Sequence, residues 1–177
     1  MSEFAVTAVG RDRPGIVAAI SGVLFELGGN VEDSRMSILR GHFAVMLIVE
    51  LGDEAARDRL ESELERVRDQ LGLEAISVSE VETLSGVPDS GPSHVLTVYG
   101  SDRPGIVHRI TSLLAERDVN VTDLSTQIAG GAEPIYVMMI EIAIGDVAEE
   151  ELRAALEAAA AELEVDVSLR PLEGEAL

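Results

Sequence analysis

Two short segments carry the residue types that could do chemistry: Asp12-Arg13-Pro14-Gly15-Ile16, and Asp102-Arg103-Pro104-Gly105-Ile106 about 90 residues later. Each follows an apolar run and precedes a helical pattern, so each sits at a strand-to-helix corner. The start of a helix presents free N–H groups and partial positive charge, a natural seat for a small carboxylate. An aspartate beside it can accept hydrogen bonds from an ammonium group. Carboxylate and ammonium are the two ends of a free amino acid. The same residues also have a purely structural reading. Proline suits the first helical turn, an aspartate cap is worth about 1 kcal/mol, and glycine lets backbone or a ligand come close. Capping accounts for Asp, Pro and Gly, and less well for Arg13 and Arg103, so both readings stand at this level.

The corners require supporting elements, and the rest of the chain supplies them twice. Phe4 to Val9 reads as a strand, and Ile16, Val17, Ile20, Val23, Leu24 and Leu27 recur at helical spacing until Gly28-Gly29. Val31–Leu39 and Phe43–Leu51 read as strands around a turn at Arg40-Gly41-His42. Leu60, Leu64, Val67 and Leu71 then line one face of a charged helix, and Ile76, Val78 and Val81 belong to a final strand. The second copy predicts strands over His94–Tyr99, Val121–Ile128, Ile135–Ile144 and from Val165 to Leu169. Its helices are lined by Ile106, Val107, Ile110, Leu113 and Leu114, and by Leu152, Leu156, Ala159 and Leu163. Its hairpin carries extra residues within Gly130-Gly131-Ala132-Glu133-Pro134.

The order β-α-β-β-α-β, met twice, predicts an α+β chain of two tandem ferredoxin-like domains. Each should hold a four-stranded antiparallel sheet with two helices on one face. The expected domains are 1–84 and 94–172, joined by a Gly-, Pro- and Ser-rich linker over 85–93 and followed by a tail over 173–177. A sheet covered on one face leaves its other face and its edges to be paired, either between the repeats or between chains of a homodimer.

Composition narrows the function classes. The chain has 177 residues, 46% of them hydrophobic and only 3% aromatic, so its cores must be aliphatic. Cys is absent, which excludes disulfides, thiolate zinc sites and cysteine nucleophiles. The three histidines, His42, His94 and His108, make no metal-ligand spacing, and no metal or cofactor is expected. No Ser nucleophile elbow or phosphate loop appears. The acidic run from Asp146 to Glu151 reads as a solvated helix start, and Val137-Met138-Met139-Ile140 as core strand. A net charge of −20, with arginine as its sole basic residue type, repels nucleic acid and anionic membranes. With no apolar stretch of membrane-spanning length and a polar start, the expectation is a cytoplasmic location.

The corner, together with Asn30 and Asn120 about 16 residues beyond each proline, resembles the ACT domain family across nearly the whole chain. That resemblance implies βαββαβ modules that sense amino acids. In sensing members the corner's Asn or Asp and its backbone hold the effector, and the Asn opening the second strand reaches it across a domain interface. Carried over, it nominates Asp12, Arg13, Pro14, Gly15, Ile16 and Asn30, then Asp102, Arg103, Pro104, Gly105, Ile106 and Asn120. The sequence departs from serine-sensing members in two ways. Aspartate stands where they carry Asn, and Gly10 and Gly100 stand where they carry His. Stand-alone two-domain members imply a non-catalytic regulator with an amino-acid effector and a protein partner, acting in transcriptional regulation of amino-acid metabolism. The competing class is an assembly scaffold with no small ligand. An acylphosphatase-like enzyme, with Arg11 or Arg13 and Asn30 as its pair, stands third, because the glycine-rich phosphate cradle is missing and Pro14 lacks an N–H.

Overall fold

The structure, a computed structural model, describes residues 2–52, 56–81, 91–129 and 134–172. It divides into two compact units, Met1–Gly86 and Val87–Leu177. The first contains β1 (Ser2–Arg11), α1 (Ile16–Glu26), β2 (Asn30–Leu39), β3 (His42–Leu51), α2 (Ala56–Leu71) and β4 (Ala75–Glu80). The second repeats the order as β5 (His94–Gly100), α3 (Ile106–Ala115), β6 (Asn120–Ala129), β7 (Ile135–Ala143), α4 (Glu149–Leu163) and β8 (Val165–Pro171). The sheets run β2-β3-β1-β4 and β6-β7-β5-β8, and every neighbouring pair is antiparallel. Both units are therefore α+β, ferredoxin-like βαββαβ folds.

Alternation along each strand decides which face is covered. In the first unit Phe4, Val6 and Ala8 of β1 are buried together with Phe43, Val45, Leu47 and Val49 of β3. Ile16, Ile20 and Leu24 of α1 and Leu60, Leu64 and Val67 of α2 close the same core, so both helices lie on one face. The second unit buries Leu96, Val98, Met138 and Ile140 against Ile106 and Ile110 of α3 and Leu152 and Leu156 of α4. Each such aliphatic side chain contributes about 1.5–3 kcal/mol by leaving water, and Phe4, Phe43 and Tyr136 add aromatic surface to the two cores. The stretch Val137–Ile140 is only half core. Met138 and Ile140 point inward, while Met139 lies exposed on the uncovered face, because the strand alternates.

The edge strands β2 and β6 each slip register at the same place, between Val31 and Asp33 and between Val121 and Asp123. One extra residue in each, Glu32 or Thr122, adds local twist. Helix α1 ends in a Schellman arrangement. Gly28 adopts φ 71°, its N–H donates to the Phe25 carbonyl, and the Gly29 N–H donates to the Leu24 carbonyl at 2.8 Å. Asp118 fills the same left-handed position after α3, with φ 54°. The expected linker lies outside the described residues over 85–90, as do the hairpin insertion over 130–133 and the tail over 173–177.

Candidate functional site

The two corners are near-copies in backbone. Gly15 (φ 99°, ψ −11°) and Gly105 (φ 98°, ψ −8°) are the N-caps of α1 and α3, and their carbonyls accept from the Ala19 and Arg109 N–H groups at 2.9 Å. This corrects the expected capping. Pro14 and Pro104 stand before the N-cap and not in the first turn, and no side chain caps either helix. Asp12 and Asp102 lie three residues ahead of the cap. The Asp12 N–H is instead used by the Gly41 carbonyl of the β2–β3 turn, at 2.9 Å. The left-handed backbone is what favours glycine at 15 and 105, and crowding is not, since an added Cβ would meet nothing within 4 Å at either position. The space above the corner is open, and Asp12, Arg13, Pro14 and Gly15 are all exposed, as are their counterparts in the second unit.

Close approach belongs to other glycines. A Cβ on Gly10 would lie 2.9 Å from Leu73 Cδ2 and 3.1 Å from its Cα. One on Gly100 would lie 2.9 Å from Val165 Cγ1 and 3.1 Å from its Cα. The chain entering β4 or β8 packs directly against these positions. That contact gives a steric reason why a histidine side chain has no room there.

The arginines have a structural task that capping did not explain. Arg13 Nη2 donates to the Gln70 carbonyl in the last turn of α2 at 3.4 Å. Arg103 pairs with Glu164, the C-cap residue of α4. In both units the corner arginine thus reaches the negative end of the second helix, where a cation is favoured. Spacing along the sequence carried no signal of this contact, since each partner lies some 60 residues away through the fold.

Asn30 and Asn120 open β2 and β6 and are exposed. They do not join the corner of their own unit. Asn30 pairs with Glu50, which pairs with Glu3, whereas the corner follows Arg11, which pairs with His42. From Glu3 to Arg11 is about 26 Å of strand at roughly 3.3 Å per residue, so the asparagine and the corner occupy opposite ends of one sheet. The second unit repeats this, with Asn120 level with Ala143 and the corner beyond Gly100 and Tyr136. The Asn30 amide is held by Glu32 Oε1 at 2.7 Å.

The surroundings of the corners differ. Gly10 pairs with Phe43, but Gly100 pairs with Tyr136. Burial pushes the Tyr136 phenol up, the negative Asp102 adds to this, and a hydrogen bond with Thr126 works against it. The second corner therefore has a hydroxyl within electrostatic reach of its aspartate, where the first has a plain ring. His108 is exposed on α3 with its Nδ1 3.4 Å from Ser112 Oγ. His94 is buried, with Nδ1 2.9 Å from Ser93 Oγ and Nε2 3.5 Å from Glu149 Oε2, close enough for an ion pair but without a hydrogen bond. Arg153, hydrogen-bonded to Glu149, is the main cause that holds that carboxyl below the usual range, and His94 adds to it. His42 is exposed, 3.9 Å from Glu74.

Among the described residues no group of three or more His, Asp or Glu is placed to hold a metal ion. Nor is any helix among them long and apolar enough to cross a membrane.

Sequence reasoning also missed a hollow of about 170 Å³ beside α1, lined by Val17, Ile20, Ser21, Val31, Ser34, Val45 and Leu47. No periodicity signals it, because its lining is drawn from three separate elements, α1, β2 and β3.

Comparison with known proteins agrees with this architecture. The ACT domain family model matches residues 2–78 and again 94–170. A UPF0237 protein of Methanopyrus kandleri is 40% identical over 77 residues, covering 43% of this chain and 86% of that protein. The glycine cleavage system transcriptional repressor of Escherichia coli (strain K12) is 31% identical over 119 residues, 67% of this chain and 61% of the repressor. An unknown protein from Galdieria sulphuraria superposes with a TM-score of 0.83 at 30% identity, covering 97% of this chain and 98% of that one. With both repeats matched and the same corner, register and fold in each, the chain belongs to the ACT domain family.

Proposed function

We propose that this protein is a non-catalytic regulator that binds a free amino acid at its ACT corners and signals through a protein partner. The ligand's carboxylate would lie at the starts of α1 and α3, beside Gly15-Ile16 and Gly105-Ile106, with Asp12 or Asp102 near its ammonium. Membership of the ACT family and the likeness to a transcriptional repressor support the regulatory class. The observation that carries the ligand reading is the separation of Asn30 from its own corner by the length of the sheet, repeated for Asn120. A complete seat then takes its asparagine from another ACT unit, so occupancy changes how units pair, and a coupling of about 1–3 kcal/mol suffices for a switch. A free amino acid offers few atoms, which sets affinities from about micromolar to millimolar. With a net charge of −20, control of transcription would run through a DNA-binding partner, because the chain's own field repels DNA.

Thermal unfolding against each common amino acid tests the proposal. At 100 times its dissociation constant a ligand adds about 2.7 kcal/mol, and alanine at both Asp12 and Asp102 should abolish the shift while the fold persists. A protein that responds to none of them is not an amino-acid sensor. The scaffold reading then gains, and it has its own support in β2, an edge strand exposed along all ten residues, Met36, Ile38 and Leu39 among them.

A further inference from the structure

The geometry points to the hollow beside α1 as the side-chain pocket of the first unit, selecting an amino acid with a branched aliphatic side chain. This inference rests on the amino-acid reading above and gives it a ligand class. The hollow holds about 170 Å³, and α1 lines it with Val17, Ile20 and Ser21, the first of them two residues past Gly15. Its walls are Val17, Ile20, Val31, Val45 and Leu47, and its polar side chains are Ser21 and Ser34. Apolar cavities of about 150 Å³ accept a guest the size of benzene, so a group of four or so carbons fits, and a charged side chain would lose its water there without a partner.

The second unit carries larger side chains at the matching positions. Ser34 pairs with Leu47 across β2 and β3, and the matching pair is Leu124 with Ile140. By the same register Val45 corresponds to Met138, and in the helix Ser21 corresponds to Thr111. Each replacement is larger, and the largest change puts an isobutyl group where the first unit has a hydroxymethyl. The repeat thus carries in its own sequence the aliphatic group that the first unit would take from a ligand. It follows that the two corners are not equivalent, and that the aliphatic amino acid binds once per chain, at the first.

Calorimetry and thermal shift on the full chain with L-valine, L-leucine, L-isoleucine, L-serine, glycine and L-glutamate test this directly. The expected result is binding of the branched set at one per chain, weakened about ten-fold or more by Ser34→Leu and by Val45→Met. Xenon-pressure NMR reads the hollow by itself, with shifts at the Val17, Val45 and Leu47 methyls that Ser34→Leu removes. If serine, glycine or glutamate binds instead and Ser34→Leu leaves that affinity unchanged, this inference falls while the sensor reading stands. If xenon enters but no amino acid binds, both fall. If Ser34→Leu changes the sedimenting mass and not ligand affinity, a second copy covers the hollow and the inference is again overturned.

Discussion

The two units share a backbone corner, a strand order and a bulge, and differ in what surrounds them. In the first, Phe43 lies under the corner, Gly28 closes the helix, and small side chains leave a hollow beside α1. In the second, Tyr136 lies under the corner, Asp118 holds the left-handed cap, and Leu124 and Met138 take the places of Ser34 and Val45. The shared features are backbone requirements, which tolerate little change because sterics fix them. The differing features are side-chain choices around a surface that each copy can tune separately. A duplicated module can in this way keep its fold while the side chains around each corner change.

The sharpest break of this equivalence is steric. Gly100→Ala would set a methyl 2.9 Å from Val165 Cγ1 and 3.1 Å from its Cα. It should cost about 1–3 kcal/mol in chemical denaturation. Gly10→Ala meets the flexible end of Leu73 first and should cost less. Equal losses would mean that the strand entry yields alike in both units.

Next in size come the helix ends. Asp118 at φ 54° carries a strain that Gly28 at φ 71° avoids. Asp118→Gly should therefore stabilise by up to about 1 kcal/mol, and Gly28→Asp should cost a similar amount, both read as shifts in unfolding midpoint. A destabilising Asp118→Gly would reveal a side-chain role for that aspartate.

The corner arginines should matter less. Arg103 and Glu164 are 50% and 66% exposed, so Arg103→Ala should lose under about 1 kcal/mol, and less still in high salt. Arg13 meets only the partial charge of a carbonyl at the end of α2, so the loss in Arg13→Ala should be smaller and should fall less steeply with salt than that in Arg103→Ala.

The last contrast is one of pH. Glu149 is held below the usual carboxylate range, chiefly by Arg153. Its depressed folded value means that the contribution is fully present above the ordinary glutamate range and is lost as pH falls through the lowered value. Carboxyl NMR titration should show the Glu149 midpoint rising toward the ordinary value in Arg153→Met. A midpoint unmoved by that change would assign the shift to His94.

Much of this was legible in the residues because it rests on local rules. Strand alternation, helical spacing and the twice-met corner gave the βαββαβ order, and the elements found differ from those read by a residue or two at their ends. The capping role given to Asp12 and Pro14 was wrong because proline and glycine together admit two corner geometries. Only the packed chain selects the one with Gly15 left-handed.

What the sequence alone determined was a pair of aliphatic-cored ACT units with chemically similar corners, since periodicity and backbone chemistry act over a few residues. What only the tertiary structure decided acts between residues far apart in the chain. Strand register put Asn30 at the far end of the sheet from Asp12, and helix packing brought Arg13 to Gln70. Space left between α1 and β2 by Ser21 and Ser34 made the hollow, a volume that no single segment contains.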